Sequence, residues 1–421
     1  MDISYNLRYQ KQNFANRVII DKEGEIIIYG KGFRLKGKGA TDKGELINFS
    51  EIKEFYYRND KIFFITFNKE KYTLSDAGTQ FGQLIVDIYK ARNEFLMDAL
   101  FMKGGKLKAE FEGYFQRVSK FAKPINKGNA RLRIYESSMV VIPSSQDAFS
   151  LHFNFVNSYE FEDLEYTLKV VMDDETTIFF SQLGNDFELF QEKMETALGG
   201  MYGTVVNDIL KEIFMEFHSA VLLKLAYNMK GGKAVSLKEI QKIDKDLAIA
   251  VENFIFEDSV LKEKMSILKK ITDENNVFYG IAKDDTVKNS YIRWLMYSIV
   301  DKNIVAFCIL PRWISEGQKD SSPQNAKHET YFYRIIMEQG TPALKVEDKL
   351  REINQALVNL HFVKDPCYKD KRELKHSPYQ YAIRKLPYLR ILRKSFVGQA
   401  NAPEASEWQK QADEILKRSS L

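Results

Sequence analysis

Between Arg17 and Leu74 apolar and polar residues alternate in short runs separated by turn residues, the period-two pattern of half-buried strands. Val18-Ile19-Ile20 and Glu25 to Tyr29 flank Lys22-Glu23-Gly24, which reads as a hairpin turn. Phe33 and Leu35 alternate with Arg34 and Lys36. Further strands are expected over Leu46 to Tyr57, Lys61 to Phe67 and Lys71 to Leu74, with turns at Arg58-Asn59-Asp60 and Asn68-Lys69. The period then changes to that of a helix, about Gly78 to Met102, with Phe81, Leu84, Ile85, Ile88, Phe95, Leu96 and Ala99 on one face. Gly104-Gly105 is its expected stop.

The same order is then written again. Ser75-Asp76-Ala77-Gly78-Thr79-Gln80-Phe81 returns as Ser181-Gln182-Leu183-Gly184-Asn185-Asp186-Phe187, a shift of 106 residues. Read outward without a gap, the shift places Phe49, Glu54 and Phe55 on Phe155, Glu160 and Phe161, and Ile62, Phe64 and Ile65 on Leu168, Val170 and Val171. One small β-rich domain has been duplicated. In both copies the repeated stretch is read as the joint between last strand and closing helix. Ser75 and Ser181 are expected to cap, Gly78 and Gly184 to permit the turn, and Phe81 and Phe187 to begin the apolar face. Copy two adds a second helix, about Val205 to Met229. Its end, Met229-Lys230-Gly231-Gly232-Lys233, echoes Met102-Lys103-Gly104-Gly105-Lys106.

Beyond the repeat, residues 234–275 read as a helical connector capped by Ser236, with Ile240, Ile243, Leu247, Val251 and Phe254 at helical spacing. A third lobe is expected from Asn276. Its strands are Val277 to Gly280, Tyr291 to Val300, Ile304 to Leu310 and Thr330 to Met337, with a polar loop at Ser315 to Lys327. A helix carrying Val346, Leu350, Ile353, Leu357 and Leu360 follows.

Short strands closed by one amphipathic helix is the order of a pleckstrin-homology-like domain, a bent β-sandwich whose open end the helix plugs. Residues 17–102 and 123–200 each resemble one, and the third lobe repeats the order without repeating the sequence. The segments around Tyr331-Phe332-Tyr333-Arg334 and Leu386-Pro387-Tyr388-Leu389-Arg390 are similar to parts of large bacterial proteins, a likeness that implies no activity. The expected class is α+β: two, or with the third lobe three, small bent β-sandwich or barrel domains, a helical connector and a basic helical tail. The expected boundaries are 1–103, 104–233 (with the extra helix), 234–275, 276–363 and 364–421.

Composition narrows the chemistry. The chain has 421 residues, 44% of them hydrophobic, and 30 Phe and 22 Tyr, a balance that builds β-rich cores. Its two cysteines supply no disulfide framework, and no secretory leader or bilayer-length apolar run is visible, so a cytoplasmic protein is expected. The five histidines include no pair at helical spacing, no cysteine pair is close, and no carboxylate pair stands out. No catalytic, metal or cofactor-binding residue is therefore expected, nor a small-molecule ligand. His152 is read as an outward strand residue and His218 as a packing residue within a helix. Gly32-Phe33-Arg34-Leu35-Lys36-Gly37-Lys38-Gly39 has phosphate-loop spacing, but Gly39 stands where the magnesium-binding hydroxyl belongs and no helix follows. Lys31, Arg34, Lys36 and Lys38 remain as a basic segment. The resemblance implies that such an early basic segment could hold a lipid headgroup; the alternative is a strand edge kept from pairing by its charge.

The largest charge feature is Lys364 to Lys394, with ten Lys or Arg against three acids, a net +7 in a chain whose total is +4. Its cations Lys369, Lys371, Arg372, Lys375, Arg384, Lys385, Arg390, Arg393 and Lys394 are interleaved with Tyr379 and Tyr381. A helix starting at Ser377-Pro378, restarting at Pro387 and stopping at Gly398 would set Leu389, Leu392 and Phe396 in a stripe beside the cations. The expected function is a non-catalytic scaffold, an accessory subunit recognising a protein partner through its lobes and this helix. Nucleic-acid binding through 364–394 is the first alternative, and an anionic membrane met through Lys31 to Lys38 the second.

Overall fold

The computed structural model describes residues 3–39, 42–162, 164–256, 259–271, 277–283, 290–299, 303–309, 313–314, 329–335, 350, 353–354, 356–358, 368, 372, 374 and 379–419. The protein is α+β, with three antiparallel sheets. It divides into two compact units, Met1–Leu198 and Gly199–Leu421.

The first unit holds both copies of the repeat. Copy one comprises β1 (Ile3–Gln12), β2 (Val18–Tyr29), β3 (Gly32–Gly37), β4 (Glu45–Asn48), β5 (Ile52–Arg58), β6 (Lys61–Thr66), β7 (Lys71–Ser75) and α1 (Phe81–Ala99). Copy two follows as β8 (Leu107–Val118), β9 (Pro124–Tyr135), β10 (Ser138–Pro143), β11 (Phe149–His152), β12 (Val156–Glu162), β13 (Thr167–Met172), β14 (Thr177–Ser181) and α2 (Phe187–Val205). The two sheets have one topology, β4-β3-β2-β1-β7-β6-β5 and β11-β10-β9-β8-β14-β13-β12. The first strand of each copy pairs on both sides and joins the two halves of the sheet.

Neither central strand was expected, although Tyr5, Leu7 and Tyr9 alternate with Asn6, Arg8 and Gln10 and are buried. The Lys22-Glu23-Gly24 hairpin is also corrected. β2 runs straight through it, and Lys22, Glu23 and Gly24 pair with Tyr9, Arg8 and Leu7. Gly24 serves close approach instead, because a Cβ there would stand 2.0 Å from the carbonyl oxygen of Lys36.

The shift of 106 holds at β2/β9, β3/β10, β6/β13, β7/β14 and α1/α2, but it is not ungapped. At β4–β5 it is 104: Phe49 corresponds to Phe153, and the bulge after Ile52 to that after Val156. The β10–β11 loop is two residues shorter than its counterpart, and the β12–β13 turn two residues longer. The buried positions still match, because each segment keeps its alternation inside its own strand.

The cores are aromatic. Phe33 meets Phe64 edge to face at 5.3 Å, Phe64 stacks on Tyr72 at 4.5 Å, and Phe95 of α1 reaches Phe49 at 6.0 Å. In copy two, Phe190 of α2 meets Phe111 at 5.3 Å. At the joint, Asp76 and Gln182 share a left-handed backbone (φ 61 and 56), as do Gly78 and Gly184 (φ 57 and 58). The turn reading stands, but the serine caps are corrected. No side chain caps either helix start in copy one, and Ser75 bonds to Asp76 instead.

Helix α1 does a second job. Its far half carries Arg92 and Asn93, both fully buried against copy two. The Arg92 guanidinium donates from Nε and Nη2 to the Asp147 carboxylate at 2.6 and 2.8 Å. The Asn93 amide donates to the carbonyls of Pro143 and Gln146 and accepts from the Ala148 amide. Arg133 of β9 reaches Glu94, and the Ser138 hydroxyl donates to the Met102 carbonyl. The two lobes are thus bolted together through α1 and the shortened β10–β11 loop.

The second unit is built on a third sheet: β15 (Val235–Ser236), β16 (Val277–Lys283), β17 (Ser290–Ile299), β18 (Ile304–Ile309), β19 (Trp313–Ile314), β20 (Thr330–Arg334) and β21 (Phe396–Ala400). Its order is β15-β16-β17-β18-β20-β21, with β19 on β17. The described strands run in chain order, so the first lies at an edge and not at the centre as in the first unit. The Tyr291 to Leu310 stretch is two paired strands, as expected.

Helices α3 (Ser219–Asn228), α4 (Leu237–Ile243), α5 (Lys245–Ile255), α6 (Ser259–Lys269), α7 (Tyr379–Lys385), α8 (Pro387–Ser395) and α9 (Ala405–Ser419) belong to this unit, preceded by helical turns at Val206–Leu210 and Lys211–Ile213. The stretch expected as a connector supplies Ile240, Leu247, Val251, Ile255 and Leu261 to one core with Val277, Tyr279, Tyr297 and Trp408. The expected helix from Val205 to Met229 is interrupted after Ile213, and α3 starts afresh at Ser219. His218 is exposed and caps α3 by accepting from the Ala220 amide, so its packing role is corrected. Leu350, Ile353 and Leu357 are helical and buried as expected. Val346, Leu360 and the Ser315–Lys327 loop lie outside the described residues.

Removing Arg92 tests the bolt. Breaking a buried ion pair costs about 3–5 kcal/mol, and the Asp147 side chain is 43% exposed, so Arg92→Ala should destabilise by roughly 2–3 kcal/mol. Chemical denaturation of Arg92→Ala beside exposed Lys90→Ala, expected within about 0.5 kcal/mol of wild type, checks it.

Candidate interaction surfaces

The duplication provides an internal comparison at one place in each lobe. In copy one Lys11, at the end of β1, is buried among acids. Its ammonium donates to Glu45 at 2.7 Å and pairs with Glu70 at 2.8 Å, while the Tyr72 hydroxyl donates to Glu45 at 2.8 Å. Burial works against the charged ammonium, but the hydrogen bonds to Glu45 and Glu70 outweigh it and hold Lys11 above the usual lysine range. Tyr72 is pushed up by burial first.

In copy two the matching positions are Arg117, Phe149, Thr176 and Ile178: the cation is retained and both acids are gone. The Arg117 guanidinium lies over the Phe149 ring at 5.3 Å, and neither its buried Nε nor Asn126 Oδ1 makes a hydrogen bond. A buried donor without a partner is expensive, so this arginine is oriented but not satisfied.

Arg117 stands at the root of the β8–β9 hairpin, where the contrast widens. Residues 113–135 hold six cations and no acid. The corresponding residues 7–29 hold four cations and three acids, Asp21, Glu23 and Glu25, which become Lys127, Asn129 and Arg131. Arg131 and Arg133 are held by Glu110. Among the described residues, Arg117, Lys120, Lys123 and Lys127 pair with no carboxylate. The hairpin tips share a backbone, with matched hydrogen bonds at Asn13/Arg17 and Ser119/Lys123 and left-handed Asn16 and Ala122. Each presents a phenylalanine to solvent, Phe14 at 79% and Phe121 at 72% exposure, and Ile125 stands exposed beside the second. This surface was not anticipated. Its signal was available as an acid-free run, and the larger net charge further along the chain hid it.

The Lys31 to Lys38 segment behaves as an ordinary strand. Gly32–Gly37 is β3, its backbone committed to β2 and β4, so no amides are left to cradle a phosphate. Lys36 pairs with its cross-strand neighbour Glu25 at 3.7 Å and Lys38 with Glu23 at 2.6 Å. Lys31 and Arg34 are exposed. Copy one thus meets Lys36 and Lys38 with acids of β2 and leaves Lys31 and Arg34 exposed.

In the basic C-terminal segment the expected stripe exists, but it faces inward. Leu389 and Leu392 are fully buried. The helix ends at Ser395 and not at Gly398, because Phe396 to Ala400 leave it to pair as β21 with β20. The expected tail continues into α9, whose Trp408 is fully buried and donates to Thr330 Oγ1. Arg372, Arg384, Arg390 and Lys394 are exposed, and Arg393 is half-buried. Lys385 lies over the ring of buried Tyr381, and Tyr379 is half-buried. Lys369, Lys371 and Lys375 lie outside the described residues.

Among the described residues no group of His, Cys, Asp and Glu could hold a metal, and no helix is long and apolar enough to cross a membrane. No protein-family model matches the chain, and no curated protein matches it.

The loop after β3 offers a pH test. The Asp42 carboxylate binds Lys22 and accepts from the Gly37 and Gly44 amides at 2.9 Å. Lys22 first, then those amides, lower its pKa from 3.8 to about 2. The folded value lies below the unfolded one, so this anchor is complete above 3.8 and lost as pH falls towards 2. A carboxyl-carbon NMR titration should give a midpoint near 2; a midpoint at the ordinary 3.8 would remove the anchor.

Proposed function

We propose that this is a non-catalytic docking protein whose two pleckstrin-homology-like lobes act as one body and seat copy two on an anionic membrane surface. The pleckstrin-like reading is supported by two seven-stranded antiparallel sheets of identical strand order, each with a closing helix against its core. The docking reading is carried by one observation. Where copy one buries Lys11 between two carboxylates, copy two presents Arg117 without them, at the root of an acid-free hairpin tipped by exposed Phe121.

A bilayer surface suits that combination. Each lysine or arginine near an anionic leaflet contributes about 1 kcal/mol, and an aromatic ring with an aliphatic neighbour adds apolar contact at the headgroup boundary. The membrane surface thus moves from the Lys31 to Lys38 segment, where Glu23 and Glu25 pair Lys38 and Lys36, to the β8–β9 hairpin. Docked there, the body would hold a protein partner as an accessory subunit of a larger assembly.

Vesicle sedimentation tests this. Binding is expected to vesicles with roughly 30% anionic lipid and not to neutral ones, and to weaken with salt. Lys120→Ala with Lys123→Ala should cost about 2 kcal/mol, roughly thirtyfold in affinity. Phe121→Ser should weaken binding without changing its salt dependence, and Arg34→Ala with Lys36→Ala should leave it unchanged. Equal binding to neutral vesicles, or no effect of the hairpin variant, would sink the reading.

A further inference from the structure

We propose that the second unit carries an independent, sequence-indifferent contact for duplex nucleic acid on the outer face of α8, using Arg390, Arg393 and Lys394 with Arg384 of α7. It rests on no residue of the hairpin discussed above.

Arg393 and Lys394 lie three and four positions beyond Arg390, and side chains at those spacings neighbour one another on a helix. From Tyr379 to Pro403 there are five cations and no acid, so the segment's own charge is positive.

The packing of α8 selects among anionic partners. Its apolar side is spent, since Leu389 and Leu392 are fully buried, so it cannot lie with that side in a bilayer as an interfacial helix does. A protein interface of useful affinity needs a desolvated apolar or aromatic centre, and α8 exposes only Ile391, at 40%. A phosphate backbone needs neither. Three of the four cations are arginines, whose planar forks match phosphate oxygens in pairs. Tyr381 is buried under Lys385, and Tyr379 and Tyr388 are half-buried, so none offers an exposed ring for stacking on an unpaired base. What remains is contact to the backbone, which positions a protein on a duplex without reading its sequence.

Fluorescence anisotropy with a labelled duplex of about 20 base pairs tests this on the full chain. Four phosphate contacts predict a slope of log affinity against log salt of about −3 to −4, roughly a hundredfold loss between about 50 and 200 mM. Two unrelated duplex sequences should bind alike, and a single strand of the same length no more tightly. Arg390→Gln with Lys394→Gln should bring the slope to about −2 and weaken binding at least tenfold at about 50 mM salt. Both positions are exposed, so a wild-type circular dichroism spectrum is expected, and the wild-type slope needs no variant at all. Lys120→Ala with Lys123→Ala should leave duplex binding unchanged, which separates this contact from the membrane reading. The inference is overturned by no binding at about 50 mM salt, where such contacts are strongest, or by a slope that the α8 variant does not move. It is equally overturned by loss in the hairpin variant, by preference for one sequence or for single strands, or by polyglutamate competing as well as duplex at equal charge.

Discussion

A guanidinium with no solvent exposure is tolerated only if a carboxylate meets it, and that requirement organises the first unit. Arg92 sits on the helix that closes copy one, yet its partner Asp147 belongs to a loop of copy two. One helix therefore both plugs its own lobe and bolts the next. Helix α2 has Leu198 and Gly199 at the corresponding positions, so it cannot repeat the second task. The receiving loop is also where copy two lost two residues. The copies diverge in sequence and in length at the places where one has to fit the other.

The duplication reports which side chains matter by showing how each copy compensates. Leu7 pairs with Gly24 across β1 and β2, and the matching pair in copy two is Gly113 with Ala130. Ala77, at the joint of copy one, becomes Leu183, and a Cβ on Gly113 would stand 3.3 Å from Leu183 Cγ. The bulk that one copy supplies from its central strand the other supplies from its joint, a volume-conserving exchange of the kind a close-packed core accepts. The Lys11 and Arg117 positions behave differently. There the acids disappear, the Phe149 ring meets the cation in place of one of them, and the buried Nε is left without an acceptor, which a core has no reason to prefer. Compensation marks structure, and its absence marks a candidate surface.

How much of this was legible follows from where the information lies. The repeat, the closing helices and four strands of the third sheet, β16, β17, β18 and β20, were readable because their burial imposes a period on the sequence. The central strands β1 and β8 were missed because their long outer ends carry charged and amide side chains that read as loop. The two-residue offset at β4–β5 was invisible because Phe49 falls on a phenylalanine and Phe55 on an aromatic residue (Phe161 or Tyr159) under either alignment of that stretch. In the C-terminal segment the helical stripe of α8 was read correctly, but Phe396 was assigned to it. The switch to β21 depends on pairing with β20, more than sixty residues earlier, which no local pattern encodes.

The same distinction explains why net charge was a poor guide to surfaces. Residues 364–394 have the larger excess, yet their apolar stripe and Tyr381 are drawn into the second unit, and the chain runs on into β21 and α9. The β8–β9 hairpin has the smaller excess and projects its cations from two strands with the acids of its twin removed. Charge decides which partners a surface attracts at a distance; pairing within the fold decides how much of that charge is left to meet them. Copy one makes the point within a single sheet, since Glu23 and Glu25 of β2 face Lys38 and Lys36 and offset half of its basic segment. Copy two replaced those two acids with Asn129 and Arg131, so the same framework that hides charge in one lobe displays it in the other.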